Sequence, residues 1–291
     1  MLQGTGMRVS KAIWVVTAGI AAACAMFAFQ RPFREYPGTE YGMGDIPLPP
    51  DYQERAEWAF ARLMFPGGGP SVDGYYPRYQ GDYRLGLSLW TQDYPRADRH
   101  FSLAVRRLTR VHVRSAEEVV SLDDGDVYDW PWIYAVQVGE WGLTRKEASA
   151  LREYLLRGGF FVADDFHGDY EWNVFERAIR MAFPEKQIVE IPDSDEVFHA
   201  VYDLTDRYQL PGAAHLARGY KIPIHSTGPD DGKGAHWRGI YDDKGRLLVA
   251  ISYNSDVGDA WEYADDPQYP ERLADLAMRL GVNYVVYAMT H

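Results

Sequence analysis

The stretch of residues 143–176 constrains the fold of this chain more than any other. Thr144 and Glu147 form the pattern of a capping box at the start of a helix, and Gly158 marks the end of that helix. Residues 160–163 are apolar at every position, as in a strand buried on both faces of a parallel sheet. A second amphipathic helix follows. The order helix, buried strand, helix predicts an α/β fold with a mostly parallel central sheet.

Further strand patterns on both sides of this stretch extend the same architecture. Residues 58–65, 132–138 and 187–191 each predict a strand. Residues 236–241 and 246–253 predict a hairpin, because the turn sequence Asp-Asp-Lys-Gly separates them. We therefore expect a three-layer sandwich, with helices on both faces of the sheet.

The N-terminal residues have the composition of a targeting segment. A basic start at Arg8 and Lys11 precedes an uncharged apolar run that ends at Phe29. This pattern is typical of an export signal or a single membrane anchor over residues 1–30. Residues 31–54 are rich in Pro and Gly and predict a linker, and residues 55–291 predict a single α/β domain. We expect the domain to be exported, either periplasmic or anchored to the membrane by this segment.

Charge and cysteine content argue against several classes of function. The formal net charge of -12 disfavours nucleic acid or an anionic membrane as a partner, so membrane contact is expected only through the N-terminal segment. The single cysteine, Cys24, lies in that segment, and the domain therefore lacks a Cys nucleophile and a thiolate metal site. Glycine-rich phosphate loops and a G-x-S-x-G elbow are absent from the sequence.

Acidic residues follow two of the predicted strands. Asp164, Asp165 and His167 come directly after the buried run, and Asp256 and Asp259 follow the second hairpin strand. Ligands of open α/β sheets bind at the carboxyl ends of strands, so we expect these side chains to border one crevice. Because neighbouring strand residues point to opposite faces, we expect Asp165 to face the crevice and Asp164 to be buried and hydrogen-bonded. Carboxylates with an imidazole suit Mg²⁺, Mn²⁺ or Zn²⁺.

Two other features supply candidate ligand-binding residues. Asp93 precedes Pro95 at the start of a predicted helix, where it is expected to act as the N-cap. Tyr75 and Tyr76 belong to an aromatic loop, and flat rings with polar tips suit a sugar or a peptide. A purely structural interpretation competes in each case, because caps, ion pairs and loop packing also use acids and tyrosines at such positions.

Three segments resemble a known family. They are WTQDYPRAD at residues 90–98, LREYLLRGGFFVADDF at residues 151–166 and GVNYVVYAMTH at residues 281–291. Together they resemble a bacterial domain of unknown function, DUF4159, over roughly residues 58–291. The resemblance implies a flavodoxin-like fold of the class I glutamine amidotransferase type and a location in the cell envelope. It implies no reaction and no catalytic residues. Glutaminases of that fold use a Cys nucleophile, so we do not expect glutaminase activity here.

Three functions remain open at this point. The first, which we favour, is a non-catalytic ligand-binding or assembly domain of the envelope, with a protein partner, a small molecule or a glycan as its ligand. The second is a hydrolase that uses the strand-end carboxylates, with or without a divalent metal bound to them. The third is carbohydrate binding through the tyrosine loop. No cofactor is expected beyond the divalent metal of the second alternative.

Overall fold

In the computed structural model of the protein, a central sheet of seven strands organises the described residues, which are 33–67, 81–219 and 234–291. The strands are β1 (Ala61–Met64), β2 (Glu118–Ser121), β3 (Trp132–Ala135), β4 (Phe160–Phe166), β5 (Val189–Glu190), β6 (His236–Tyr241) and β7 (Leu247–Tyr253). Their order across the sheet is β2-β1-β3-β4-β7-β6-β5. The pairs from β2 to β7 are parallel, and β6 pairs antiparallel with both β7 and β5. The predicted α/β fold with a mostly parallel sheet is confirmed.

Six α-helices accompany the sheet in the same residues. They are α1 (Arg96–Leu108), α2 (Arg145–Leu156), α3 (Gly168–Ala182), α4 (Ala213–Ala217), α5 (Val257–Glu262) and α6 (Glu271–Thr290). The capping box predicted for α2 is present, since the Thr144 hydroxyl accepts from the Glu147 amide and the Glu147 carboxylate accepts from the Thr144 amide. Within the described residues, every helix is too short or too polar to cross a membrane. The predicted export segment, residues 1–30, lies outside them.

Consecutive residues of β4 show how the sheet is covered on both faces. The Phe160 ring packs against Tyr284 of α6, with ring centroids 5.8 Å apart. The neighbouring Phe161 ring points to the opposite face and stacks on Trp141, which in turn stacks on Phe175 of α3. This alternation is why the strand has no polar face. A register shift then interrupts the pairing of β4 with β7 between Ala163 and Phe166, where the strand carries its two aspartates.

The residues before β1 pack against α1 and the loop that precedes it. The guanidinium of Arg99 in α1 pairs with Glu35 at 2.9 Å, and Arg106 pairs with Asp51 at 2.9 Å. Tyr36 is buried, and its amide donates to the Tyr94 hydroxyl. Residues 35–291 therefore form one compact unit, in which the Pro- and Gly-rich segment belongs to the packed structure.

Candidate functional site

Asp164 binds the start of helix α5 at the carboxyl end of β4. Its Oδ2 accepts from the Tyr134 hydroxyl at 2.8 Å and from the Gly258 amide at 2.9 Å, and its Oδ1 accepts from the Val257 amide at 3.2 Å. Burial, followed by the charge of Asp165, raises the pKa of Asp164 to about 7 in spite of these three donors. Asp164 thus joins the sheet to α5 through three hydrogen bonds.

Asp165 belongs to a chain of polar side chains that ends at His167. The Asp165 Oδ2 accepts from the Gln137 amide group at 2.6 Å, and its Oδ1 lies 3.1 Å from His167 Nε2. Burial disfavours the charged His167 ring, yet the hydrogen bond and charge of Asp165 raise its pKa above the ordinary value. The other ring nitrogen, Nδ1, is buried and has no hydrogen-bond partner in the described part of the chain. Gln137 holds Asp165, and Asp165 in turn orients the His167 ring. The Nδ1 atom of that ring can therefore bond to a ligand or a water.

The short helices α4 and α5 fix the carboxylates of Asp256 and Asp259. Asp256 is the N-cap of α5, and its Oδ1 accepts from the Asp259 amide at 2.8 Å. The Asp259 Oδ2 accepts from the Ala213 amide at 2.6 Å. Gly212 packs directly against both carboxylates. A Cβ at that position would lie 2.7 Å from Asp256 Oδ2 and 2.9 Å from Asp259 Oδ2, so a larger residue does not fit there. Both side chains are less than a tenth exposed.

Asp93 is not the N-cap of α1, so the sequence-based expectation for it was wrong. Pro95 holds the cap position, without a side-chain hydrogen bond to the helix. The loop before it turns at Asp93, where φ is 62°, and Arg62 fixes the turn by donating to the carbonyl oxygen of Gln92 at 2.9 Å. Asp93 is fully buried, and among the described residues its carboxylate oxygens accept from no amide, hydroxyl or basic group. Within those residues, only a protonated carboxyl group of Asp259 is placed to donate to it.

These loops bring acidic side chains together in two overlapping triads. One carboxylate oxygen from each of Asp93, Asp256 and Asp259 lies within 4.8 Å of the other two, and the same holds for Glu40, Asp93 and Glu262. Burial, and then repulsion from neighbouring carboxylates, raises the pKa of Asp93 and Asp256 well above the ordinary value. The same two causes raise the pKa of Glu262 to about 9. The site therefore favours whatever neutralises its charge, either protons or a cation.

A family model described as "Domain of unknown function (DUF4159)" matches residues 82–289. This chain belongs to the DUF4159 family. The match confirms the resemblance found in the sequence and includes the loops that carry the two triads, except for Glu40. Comparison with curated proteins gave no match. The family description names no activity, so the function of this DUF4159 protein has to be argued from its site. The finer amidotransferase-like assignment stays a prediction.

Unusual backbone conformations occur at the same edge of the DUF4159 domain. Among the described residues, four other than glycine have positive φ: Asp93, Gln137, Asp165 and Asn254. Asp93 lies in the acidic cluster, and Gln137 and Asp165 belong to the polar chain beside it. Asn254 accepts from the Gly168 amide beside His167. Each such residue costs roughly 1 kcal/mol or more, and strained residues concentrate at functional sites. The positive φ values are therefore one more reason to treat this edge as the candidate functional site.

A cavity adjoins the triad on the side of α4. It has a volume of about 490 Å³ and is lined by α4 and by the rings of Tyr263 and Tyr269. Ala213 lines the cavity, and its amide also donates a hydrogen bond to Asp259. Ala213 therefore contacts both the cavity and the triad. The volume is in the range of small-molecule sites.

The structure gathers most of the residues singled out in the sequence. Asp164, Asp165, His167, Asp256 and Asp259 lie together at the strand ends, and Asp93 joins them from the loop before α1; their roles stay predictions. Tyr75 and Tyr76 lie outside the described residues. Sequence reasoning missed Glu40, Glu262 and Gln137. Glu40 lies in a Pro-rich stretch and Glu262 at the end of a short helix, and neither position carries a strand-end signal.

Proposed function

We propose that this DUF4159 domain binds a divalent cation through Asp93, Asp256 and Asp259. The observation that carries the proposal is Asp93, a fully buried carboxylate with both oxygens unpartnered among the described residues and aimed at two other carboxylates. A buried charge of this kind is costly unless it is paired or coordinates a metal. Oxygen ligands suit the hard cations Mg²⁺, Mn²⁺ and Ca²⁺.

The polar chain beside the triad favours a hydrolase over a domain that only binds. A cation lowers the pKa of a bound water, and a nearby base can then accept its proton. His167 fits that role, because Asp165 holds its Nε2 while the buried Nδ1 has no partner in the described residues. Envelope binding without chemistry is the second candidate, and glutaminase activity is not expected because the domain has no cysteine.

Calorimetry and thermal unfolding of the full-length protein test the cation site. We expect Mg²⁺, Mn²⁺ or Ca²⁺ to raise the thermal midpoint, because a ligand at a hundred times its Kd stabilises by about 2.7 kcal/mol. For a domain of this size that is a rise of about 5–10 °C. The change Asp93→Asn should weaken cation affinity at least about tenfold while leaving the metal-free midpoint unchanged or higher, since it removes a buried charge.

The matched control for this experiment is Asp243→Asn. Asp243 lies in the hairpin turn with its side chain 98% exposed, so the same chemical change there should alter neither affinity nor midpoint. The cation proposal fails if none of the three cations raises the midpoint of the unmodified protein. It also fails if Asp93→Asn binds the cation as tightly as the control.

We further propose that the domain works outside the cytoplasm. The support is the basic start and the uncharged apolar run of residues 1–30. The test fuses the full chain to one reporter that is active only after export and to another that is active only in the cytoplasm. Activity of the export reporter alone is the expected result, and activity of the cytoplasmic reporter alone refutes the proposal.

A further inference from the structure

The second acidic triad holds a carboxylate that the proposed cation site leaves unexplained. Glu262 is fully buried at the end of α5. Its Oε1 accepts from the Tyr41 hydroxyl, and its Oε2 has no hydrogen-bond partner among the described residues. Asp93 is on its other side, also buried and unpartnered. Two buried carboxylates thus face each other without a donor between them.

The basic side chains closest to this pair are engaged elsewhere. Arg96 donates to the Tyr41 hydroxyl at 3.2 Å and pairs with Asp265 at 2.7 Å. Arg62 pairs with Asp98 and donates to backbone carbonyl oxygens. In the part of the chain that the structure describes, hydrogen bonds from these arginines do not neutralise the two carboxylates, so the pair needs protons or a cation.

Glu40 completes this triad from the Pro- and Gly-rich residues before β1. Its Oε1 accepts from the Gln92 amide group at 2.6 Å, and its Oε2 accepts from the Asp93 amide at 3.2 Å. These two bonds fix the Glu40 carboxylate to the loop that carries Asp93. A carboxylate has about four lone-pair sites, so each oxygen keeps capacity for a metal. One oxygen from each of Glu40, Asp93 and Glu262 lies within 4.8 Å of the others.

We propose that Glu40, Asp93 and Glu262 bind a second divalent cation and that Asp93 bridges the two ions. The inference rests on the proposed function, because the first ion occupies the triad of Asp93, Asp256 and Asp259. A bridge uses both oxygens of one carboxylate, and both oxygens of Asp93 are without partners among the described residues. Carboxylate-bridged ions in hydrolytic centres lie about 3.5–4 Å apart. The ligands on both sides are oxygens, so the pair takes Mg²⁺ or Mn²⁺.

Mn²⁺ provides two independent measurements on the full-length protein. Metal analysis after equilibrium dialysis counts the bound ions, and electron paramagnetic resonance reports whether they are magnetically coupled, as bridged ions are. We expect two coupled ions per chain. Glu262→Gln should leave one uncoupled ion, because the variant loses a ligand but keeps an oxygen that can accept from the Tyr41 hydroxyl. Glu196→Gln, on a side chain 80% exposed, is the matched control and should keep both ions.

The results separate this inference from the proposed function. One ion in the unmodified protein, kept by Glu262→Gln and lost by Asp93→Asn, overturns the second site and leaves the first intact. Two uncoupled ions overturn the bridge. Two coupled ions that persist in Glu262→Gln overturn the assignment of Glu262. No bound ion in the unmodified protein refutes both proposals. A metal-free midpoint of Glu262→Gln at or above that of the unmodified protein confirms that any lost ion is not a loss of folding.

Discussion

The neighbouring aspartates of β4 should differ in how strongly the same substitution destabilises the protein. All three partners of Asp164 are donors, and two of them are backbone amides that cannot turn away. In Asp164→Asn the new NH₂ group must face the Val257 amide in one orientation and the Gly258 amide in the other. One buried N–H is then left unpaired, at a cost of roughly 1–3 kcal/mol.

The partners of Asp165 accommodate an asparagine. Its carbonyl oxygen can still accept from Gln137, and its NH₂ group can donate to His167 Nε2 when that ring nitrogen is unprotonated. Asparagine also tolerates the left-handed conformation that the φ of 50° requires. Asp165→Asn should therefore change the free energy of unfolding by less than about 1 kcal/mol.

Thermal unfolding at pH 8 with a chelator present measures the difference. Removal of a buried charge offsets part of the loss in Asp164→Asn, so we expect a net destabilisation of about 1–2 kcal/mol, or a midpoint about 2–8 °C lower. Asp165→Asn, with a change below about 1 kcal/mol, should shift the midpoint by less than about 2–4 °C and by less than Asp164→Asn does. Equal losses in both variants, or no loss in Asp164→Asn, would refute the assignment of Asp164 to the scaffold and Asp165 to the site.

Two further predictions concern the same edge of the sheet. A Cβ at Gly258 would lie 2.3 Å from Asp93 Oδ2, so Gly258→Ala should abolish cation binding and lower stability by about 1–2 kcal/mol after the helix-propensity gain. Gly67→Ala, which meets no atom within 4 Å, is the control in the same calorimetric titration. Burial raises the pKa of Glu171 to about 7, above its unfolded value, so its stabilising contribution is complete below about pH 4.5 and is lost as the pH rises through 7. Between pH 5 and 8 the unmodified protein should lose roughly 2 kcal/mol more unfolding free energy than Glu171→Gln, so its midpoint should fall further. Glu176→Gln on the same helix should follow the unmodified protein, and parallel curves for all three would contradict this.

The sequence predicted best where a local pattern fixed the structure. The capping box at Thr144 and the apolar strand beginning at Phe160 are each determined by a few consecutive residues, and both are present in the structure. The acids after that strand were found because a sheet brings the ends of parallel strands to one edge. Glu40 and Glu262 were missed because their meeting depends on how distant segments pack, which no local periodicity records. Asp93 was assigned to a helix cap because an acid before a proline is typical of a helix start. In the structure the turn at Asp93 places its carboxylate beside Asp256 and Asp259 instead.

The four positive-φ residues have a consequence for laboratory evolution of this protein. Glycine relieves the strain at such positions, and at Asp93 it would also remove a buried carboxylate that has no donor among the described residues, so a selection for thermal stability alone would drive Asp93 towards glycine. At Asn254 the same replacement would leave the Gly168 amide and the Gly234 carbonyl oxygen without their partner, so this strained residue should persist. A thermostable library would thus lose the proposed cation ligand Asp93 early while keeping Asn254.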